Sequence, residues 1–214
     1  MSGRWGNDLP SDNSTDFGSD YIAINLYDVH AAAGHGAAEI EQFITAFDDP
    51  RKKLLVTLLY DCGLRWHEAS NLRWEHIELN QGYARIIGKG NKERLVLLSE
   101  RLSRSLVALR KPEGYIFINQ RTDMPWIHIK RAWATAEKKT GLKLNPHLLR
   151  HAHATFMLGA TGDLRLVQTE LGHADIKTTE IYTHISLDRL RVAQQKTASY
   201  NPPTFAETLI SLPG

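Results

Sequence analysis

Apolar positions along the chain change their spacing twice, and the changes mark out its elements. Residues 1–20 are polar, rich in Ser, Asp, Asn and Gly, and are expected to be disordered because they bury too little apolar surface to offset the entropy of ordering. Tyr21 to Val29 reads as strand-like and runs into the small residues Ala31 to Ala38. Asp49-Pro50 then supplies an N-cap acid followed by a proline suited to the first helical position. Leu54, Leu55, Leu58 and Leu59 recur at helical spacing, and Gly63 is placed to stop that helix in a left-handed conformation. Arg65 emerges directly after the stop, and a short helix over 66–72 carries Glu68. From Ile77 to Leu98 the period falls to two. Tyr83–Ile87 and Arg94–Leu98 flank Gly88-Lys89-Gly90-Asn91-Lys92-Glu93, which predicts a β-hairpin, and Ile77–Leu79 adds a third antiparallel strand.

Helical spacing returns over 99–110 and 126–139, with an apolar Tyr115–Ile118 between them. Gly141 breaks the pattern, and Pro146 opens a helix on which His147 and Arg150, three apart, are expected to share a face. A helix over Leu164–Leu171 stops at Gly172, so that His173 projects from its end. Asp175 can cap the turn leading to Tyr182, and 187–195 reads as a basic helix before an irregular tail containing Pro202-Pro203. The fold class this predicts is α+β, mainly α, with one small three-stranded antiparallel sheet. The expected organisation is an acidic, partly disordered segment over 1–48, read as a fusion or truncation scar, a catalytic domain over 49–198, and a tail over 199–214.

Charge and composition sharpen that picture. Residues 1–49 hold one base against nine acids, a net −8, whereas 50–214 hold 25 bases and 15 acids, a net +10. Such a body attracts a polyanion, the electrostatic footprint of a nucleic-acid binder. No apolar run approaches the ~18 residues of a membrane span and the first residues lack a signal-peptide core, so a cytoplasmic protein is expected. The single cysteine, Cys62, lies in an apolar helical pattern and reads as a buried thiol.

Metal-independent cleavage of a phosphodiester needs a nucleophile, cationic donors on the non-bridging oxygens, a base and an acid. Arg65, Arg150, His147, His173, Lys89 and Tyr182 all stand at the starts or ends of elements, where side chains can converge. Singly, each has a structural reading: Tyr182 as a core phenol, His173 as a helix cap, the lysine turn as a solvated loop, Arg65 as the ion-pair partner of Glu68. His147, His151 and His153 could be zinc ligands, but no second cluster stands at ligand spacing. No acid-rich cluster accompanies the set, which argues against a two-metal nuclease.

The ordered blocks Gly63-Leu64-Arg65 with Glu68, Gly88 to Arg94, His147-Leu148-Leu149-Arg150-His151, Leu171-Gly172-His173 and Tyr182-Thr183-His184 together resemble the tyrosine recombinase, or phage integrase, family. Within it they look like the chromosome-dimer-resolution and integron-type members, over about 50–198. The resemblance implies that Tyr182 attacks a DNA phosphate to leave a 3′-phosphotyrosyl link, that Arg65 and Arg150 clamp its oxygens with His173 as a further donor, and that Lys89 protonates the leaving 5′-oxygen. It also implies that His147 assists deprotonation of Tyr182 and that Glu68 orients Arg65. No cofactor is implied, and the expected partners are double-stranded DNA and further copies of the chain, joined through the C-terminal helix into a tetrameric synapse. The function so implied is site-specific recombination or integration for a mobile element. The alternatives are a DNA-binding remnant without productive cleavage and a relaxing enzyme of type IB topoisomerase kind. The acidic 1–48 segment lacks the helical domain that usually closes over the far face of the DNA, so DNA grip is expected to be weak.

Overall fold

The computed structural model describes residues 35–88, 91, 93–172 and 191–197. Its helices are α1 (Ala37–Thr45), α2 (Pro50–Asp61), α3 (Trp66–Ser70), α4 (Glu100–Leu109), α5 (Lys130–Thr140), α6 (Pro146–Thr161) and α7 (Leu164–Leu171), with a 3-10 turn at Trp74–His76. Strands β1 (Ile77–Glu78), β2 (Tyr83–Ile87) and β3 (Glu93–Leu97) form one antiparallel sheet in that order, and β4 (Ile118–Asn119) pairs with β5 (Met124–Pro125). This is the mainly helical α+β architecture that the spacing predicts.

α2 is the central element. The Asp49 carboxylate accepts from the main-chain N–H groups of Arg51 and Lys52 at 2.9 and 3.3 Å, satisfying two of the first-turn donors, with Pro50 at the first helical position. Leu54, Leu55, Val56, Leu58 and Leu59 are all essentially inaccessible, because α2 packs against α1, α4 and α6 at once. A helix buried on every side carries apolar residues all round.

The acidic segment contributes more than the sequence reading assigned to it. Ile40, Phe43, Ile44 and Phe47 repeat at helical spacing and are 0–3% exposed, so α1 joins the core and the packed unit starts upstream of Asp49. Phe43 and Phe47 meet the Trp133 ring of α5 at 5.2 and 5.8 Å between centroids. Arg101 adds a polar tie: it donates to Glu41 of α1 at 2.6 Å and to Asp61 at the end of α2 at 2.8 Å. The negative charge of this segment partly masks the apolar stripe in the sequence.

One helix start also shifts. The pattern predicts a helix from Trp126, but it begins at Lys130. Met124–Pro125 pair with Ile118–Asn119, and the Trp126 N–H donates to the Phe117 carbonyl at 3.0 Å, which keeps the chain extended there. Residues 191–197 are helical. Their Ala193 is buried against Leu97, Met157, Val167 and Leu171 of the same chain. The expected features in 1–34, the lysine turn at Lys89 and Lys92, and the Asp175–Tyr182 region lie outside the described residues. Among the described residues, no helix is long and apolar enough to cross a membrane.

Candidate active site

Glu68 is the hub of the site. Its side chain is fully buried on α3 and can be charged there only if its lone pairs are filled. One oxygen accepts from the Arg65 main-chain N–H at 2.9 Å, and the other from Arg65 Nη1 at 3.3 Å. Arg94 Nη1 and Nη2 meet the same two oxygens at 2.8 Å each, a bidentate pairing. Burial by itself would push the carboxyl upward. The Arg94 hydrogen bonds and charge, with the Arg65 N–H, override it and hold Glu68 down to about 2.

The second anchor is the C-terminus of α7. A helix end leaves its last carbonyls without intrahelical donors and carries partial negative charge. Here two guanidinium groups meet that need. Arg94 Nε donates to the Glu170 carbonyl at 2.9 Å, and Arg150 Nη2 donates to the Leu171 carbonyl at 2.8 Å. Arg150 Nη1 donates to the carbonyl of Gly63. Both glycines that the pattern marks as helix stops are required by close approach. A Cβ on Gly63 (φ +57°) would sit 2.6 Å from His153 Cδ2, and one on Gly172 (φ +74°) would sit 3.1 Å from the Arg94 side chain.

Arg150 spends these two bonds on neutral carbonyls, and no described residue accepts from its Nε. Burial, then repulsion from Arg65 and Arg94, pushes its guanidinium down to about 9, with Glu68 pulling the other way. It remains a cation at neutral pH. Three guanidinium groups thus gather around the Glu68 carboxylate, and an arriving anionic oxygen would lower the energy of the whole cluster. A cleft of about 330 Å³ beside α3 adds His67, Arg73, His76 and Arg85 to this basic face.

The structure therefore brings together Arg65, Glu68 and Arg150, three of the residues that the family resemblance implies for the site. Lys89, His173 and Tyr182 lie outside the described residues. His147 is exposed on the first turn of α6, whereas Arg150, three residues on, is 3% exposed. The residue that accompanies Arg150 into the interior is His153, one turn further on. The three histidines of the considered zinc cluster differ in setting: His147 exposed, His151 half-buried and His153 buried.

Arg94, which in the sequence stands only as the last residue of the Gly88 to Arg94 block, bridges α3 and α7. The signal for it was available in the strand register. Arg94 pairs with Ile86, and Ala84 pairs with Val96. Ile86, Ala84 and Val96 form the buried face of the sheet, so Arg94 points inward and demands a buried acid.

Comparison with known proteins places the chain among relatives. The family model described as the phage integrase family matches residues 36–189. The chain is 38% identical over 177 residues to tyrosine recombinase XerD of Proteus mirabilis, a match covering 74% of this chain and 56% of that protein. It is 35% identical over 167 residues to tyrosine recombinase XerA of Pyrococcus horikoshii, covering 74% of this chain and 59% of that protein. It thus spans little more than half the length of these relatives. Among solved structures, the XerA recombinase aligns with a TM-score of 0.56 at 30% identity, over 78% of this chain and 65% of that chain. The XerH site-specific recombinase bound to its difH substrate before cleavage aligns with a TM-score of 0.57 at 29% identity, over 75% of this chain and 53% of that chain.

Proposed function

The chain belongs to the phage integrase family, and from that premise we propose that it is a site-specific DNA recombinase that cleaves and rejoins strands through a covalent tyrosyl intermediate. The observation that carries this reading is the cluster of Arg65, Arg94 and Arg150 around Glu68, in which Arg150 donates to main-chain carbonyls rather than to a carboxylate. In this reading Arg65 and Arg150 hold the non-bridging oxygens of one phosphate of double-stranded DNA, with His173 as a third donor. The Tyr182 oxygen attacks phosphorus and loses its proton with the help of His147. The bond from phosphorus to the 5′-oxygen breaks, and Lys89 delivers the proton to that oxygen. The reverse attack, by a 5′-hydroxyl from another strand, restores the tyrosine, so energy is conserved in the phosphotyrosyl bond and no cofactor enters.

Residues 187–198 are proposed to link copies of the chain on DNA into a tetrameric synapse. That requires the 191–197 helix to exchange its own-chain seat, where Arg191 and Gln194 reach the Gln81 and Leu97 carbonyls, for a neighbour's. Its place of action is proposed to be the cytoplasm. Incubation with a nicked duplex that loses its 5′-hydroxyl fragment should trap a covalent protein–DNA adduct, absent in Tyr182→Phe. Persistence of the adduct in that variant would reassign the nucleophile, and relaxation of plasmids without site preference would replace recombination by a topoisomerase activity.

A further inference from the structure

Two buried ionisable groups take no part in the chemistry above. His153 on α6 is 6% exposed and Glu170 on α7 is 4% exposed. His153 Nε2 faces Glu170 Oε2 at 3.7 Å, an ion-pair contact but too long for a hydrogen bond. Neither atom has a hydrogen-bond partner among the described residues. A buried imidazole and a buried carboxylate each carry a desolvation cost, and at this distance each offsets part of the other's.

Their location relates that cost to the arginine cluster. The His153 ring lies against Gly63, the residue whose carbonyl receives Arg150. Glu170 supplies its own carbonyl to Arg94, and the next carbonyl, of Leu171, receives Arg150. The side-chain pair therefore joins α6 to the one turn of α7 on which both guanidinium groups rest. A shift of that turn moves both acceptors, and a displacement of about 1 Å at a catalytic constellation costs up to ~100-fold in rate.

We infer that His153 and Glu170 are a positioning pair, whose contact sets the C-terminal turn of α7 against α6 and so fixes where Arg150 and Arg94 hold their guanidinium groups. The pair touches no reacting atom. The inference rests on the recombinase reading for its effect on activity and on packing alone for its effect on α7.

The test measures three things for each variant: the rate of adduct formation on a nicked duplex at saturating protein, DNA affinity by gel shift, and amide exchange across 164–172. His153→Leu strands the carboxylate. It is expected to slow adduct formation roughly tenfold, leave DNA affinity within about twofold, and speed exchange across 164–172. His153→Gln presents an amide donor near the same place and should stay within roughly threefold of the parent rate. The double variant His153→Leu with Glu170→Leu removes both buried polar groups and should recover much of the loss, as replacement of a buried ion pair by apolar residues commonly does. Parent-like behaviour of His153→Leu in rate and exchange, or a double variant no better than the single, overturns the pair. Should the parent chain form no adduct on any duplex, the recombinase reading fails by itself, and exchange still decides. Loosening of 164–172 in His153→Leu but not in His153→Gln supports the pair, and equal exchange in both refutes it.

Discussion

Glu68→Gln removes a charge and almost no volume, so its cost reports the worth of the carboxylate at the centre of the arginine cluster. In the native chain both oxygens accept at 2.8 Å from Arg94, and one also accepts from the Arg65 N–H at 2.9 Å. An amide nitrogen at either position would face a donor with a donor. Two routes give the magnitude. The displacement of the Glu68 carboxyl from 4.5 to about 2 corresponds by linkage to about 3 kcal/mol at neutral pH. Breaking a buried ion pair from one side, which leaves Arg94 uncompensated, costs ~3–5 kcal/mol in general. A loss of about 3–4 kcal/mol is therefore expected.

The pH dependence of that loss carries the sharper test. Because the folded-state carboxyl is held below its ordinary value, its contribution is fully present above about 4.5 and disappears as pH falls towards 2. Urea denaturation of parent and variant at pH 7, 5 and 3.5 should show a constant gap between the first two and a narrower one at the third, with unchanged m-values. A gap below about 1 kcal/mol at pH 7, or one that does not close under acid, would refute the account of Glu68 as a charged hub. Arg94→Met supplies the control: burial is the largest influence on Glu68, so without Arg94 the carboxyl should move upward. Glu68→Met with Arg94→Met should cost less than the two single changes combined.

Three further outcomes follow from the same geometry. Arg150→Lys cannot span the Gly63 and Leu171 carbonyls together and should reduce adduct formation by ~100-fold or more in single-turnover assays while the chain stays folded. Gly63→Ala combines a left-handed φ with a 2.6 Å approach to His153 and should lower stability by more than about 2 kcal/mol in chemical denaturation. Gly82→Ala, also left-handed but with nothing within 4 Å, should show only the backbone strain of ~1 kcal/mol. Phe43→Ala should cost ~3–5 kcal/mol if α1 belongs to the core, against less than about 0.5 kcal/mol for Ile127→Ala, a side chain that is 85% exposed.

Much of the architecture was legible before any coordinates. Asp49-Pro50, Gly63, Gly141, Pro146 and Gly172 bound helices where turn and cap chemistry place them, because those preferences act over a few residues. The three-stranded sheet followed from period-two spacing for the same reason. α1 is hard to read from spacing because acidic residues interrupt its apolar stripe, and α5 starts later than the pattern predicts because a two-residue strand pairing, invisible to helical periodicity, claims Met124–Pro125.

By itself the sequence determined the local elements and the family to which the motif set belongs, and it pointed to Arg65, Glu68 and Arg150 as one candidate group. Only the tertiary structure decided how that group is held. It turned His153 rather than His147 inward with Arg150, made Arg94 the partner of Glu68, and seated two arginines on the carbonyls that end α7. The contacts responsible join residues 26, 76 and 87 positions apart. Local spacing says which face of an element a side chain shares, but a buried charge finds its partner only where distant elements meet, and that meeting is set by the packing of the whole core around α2.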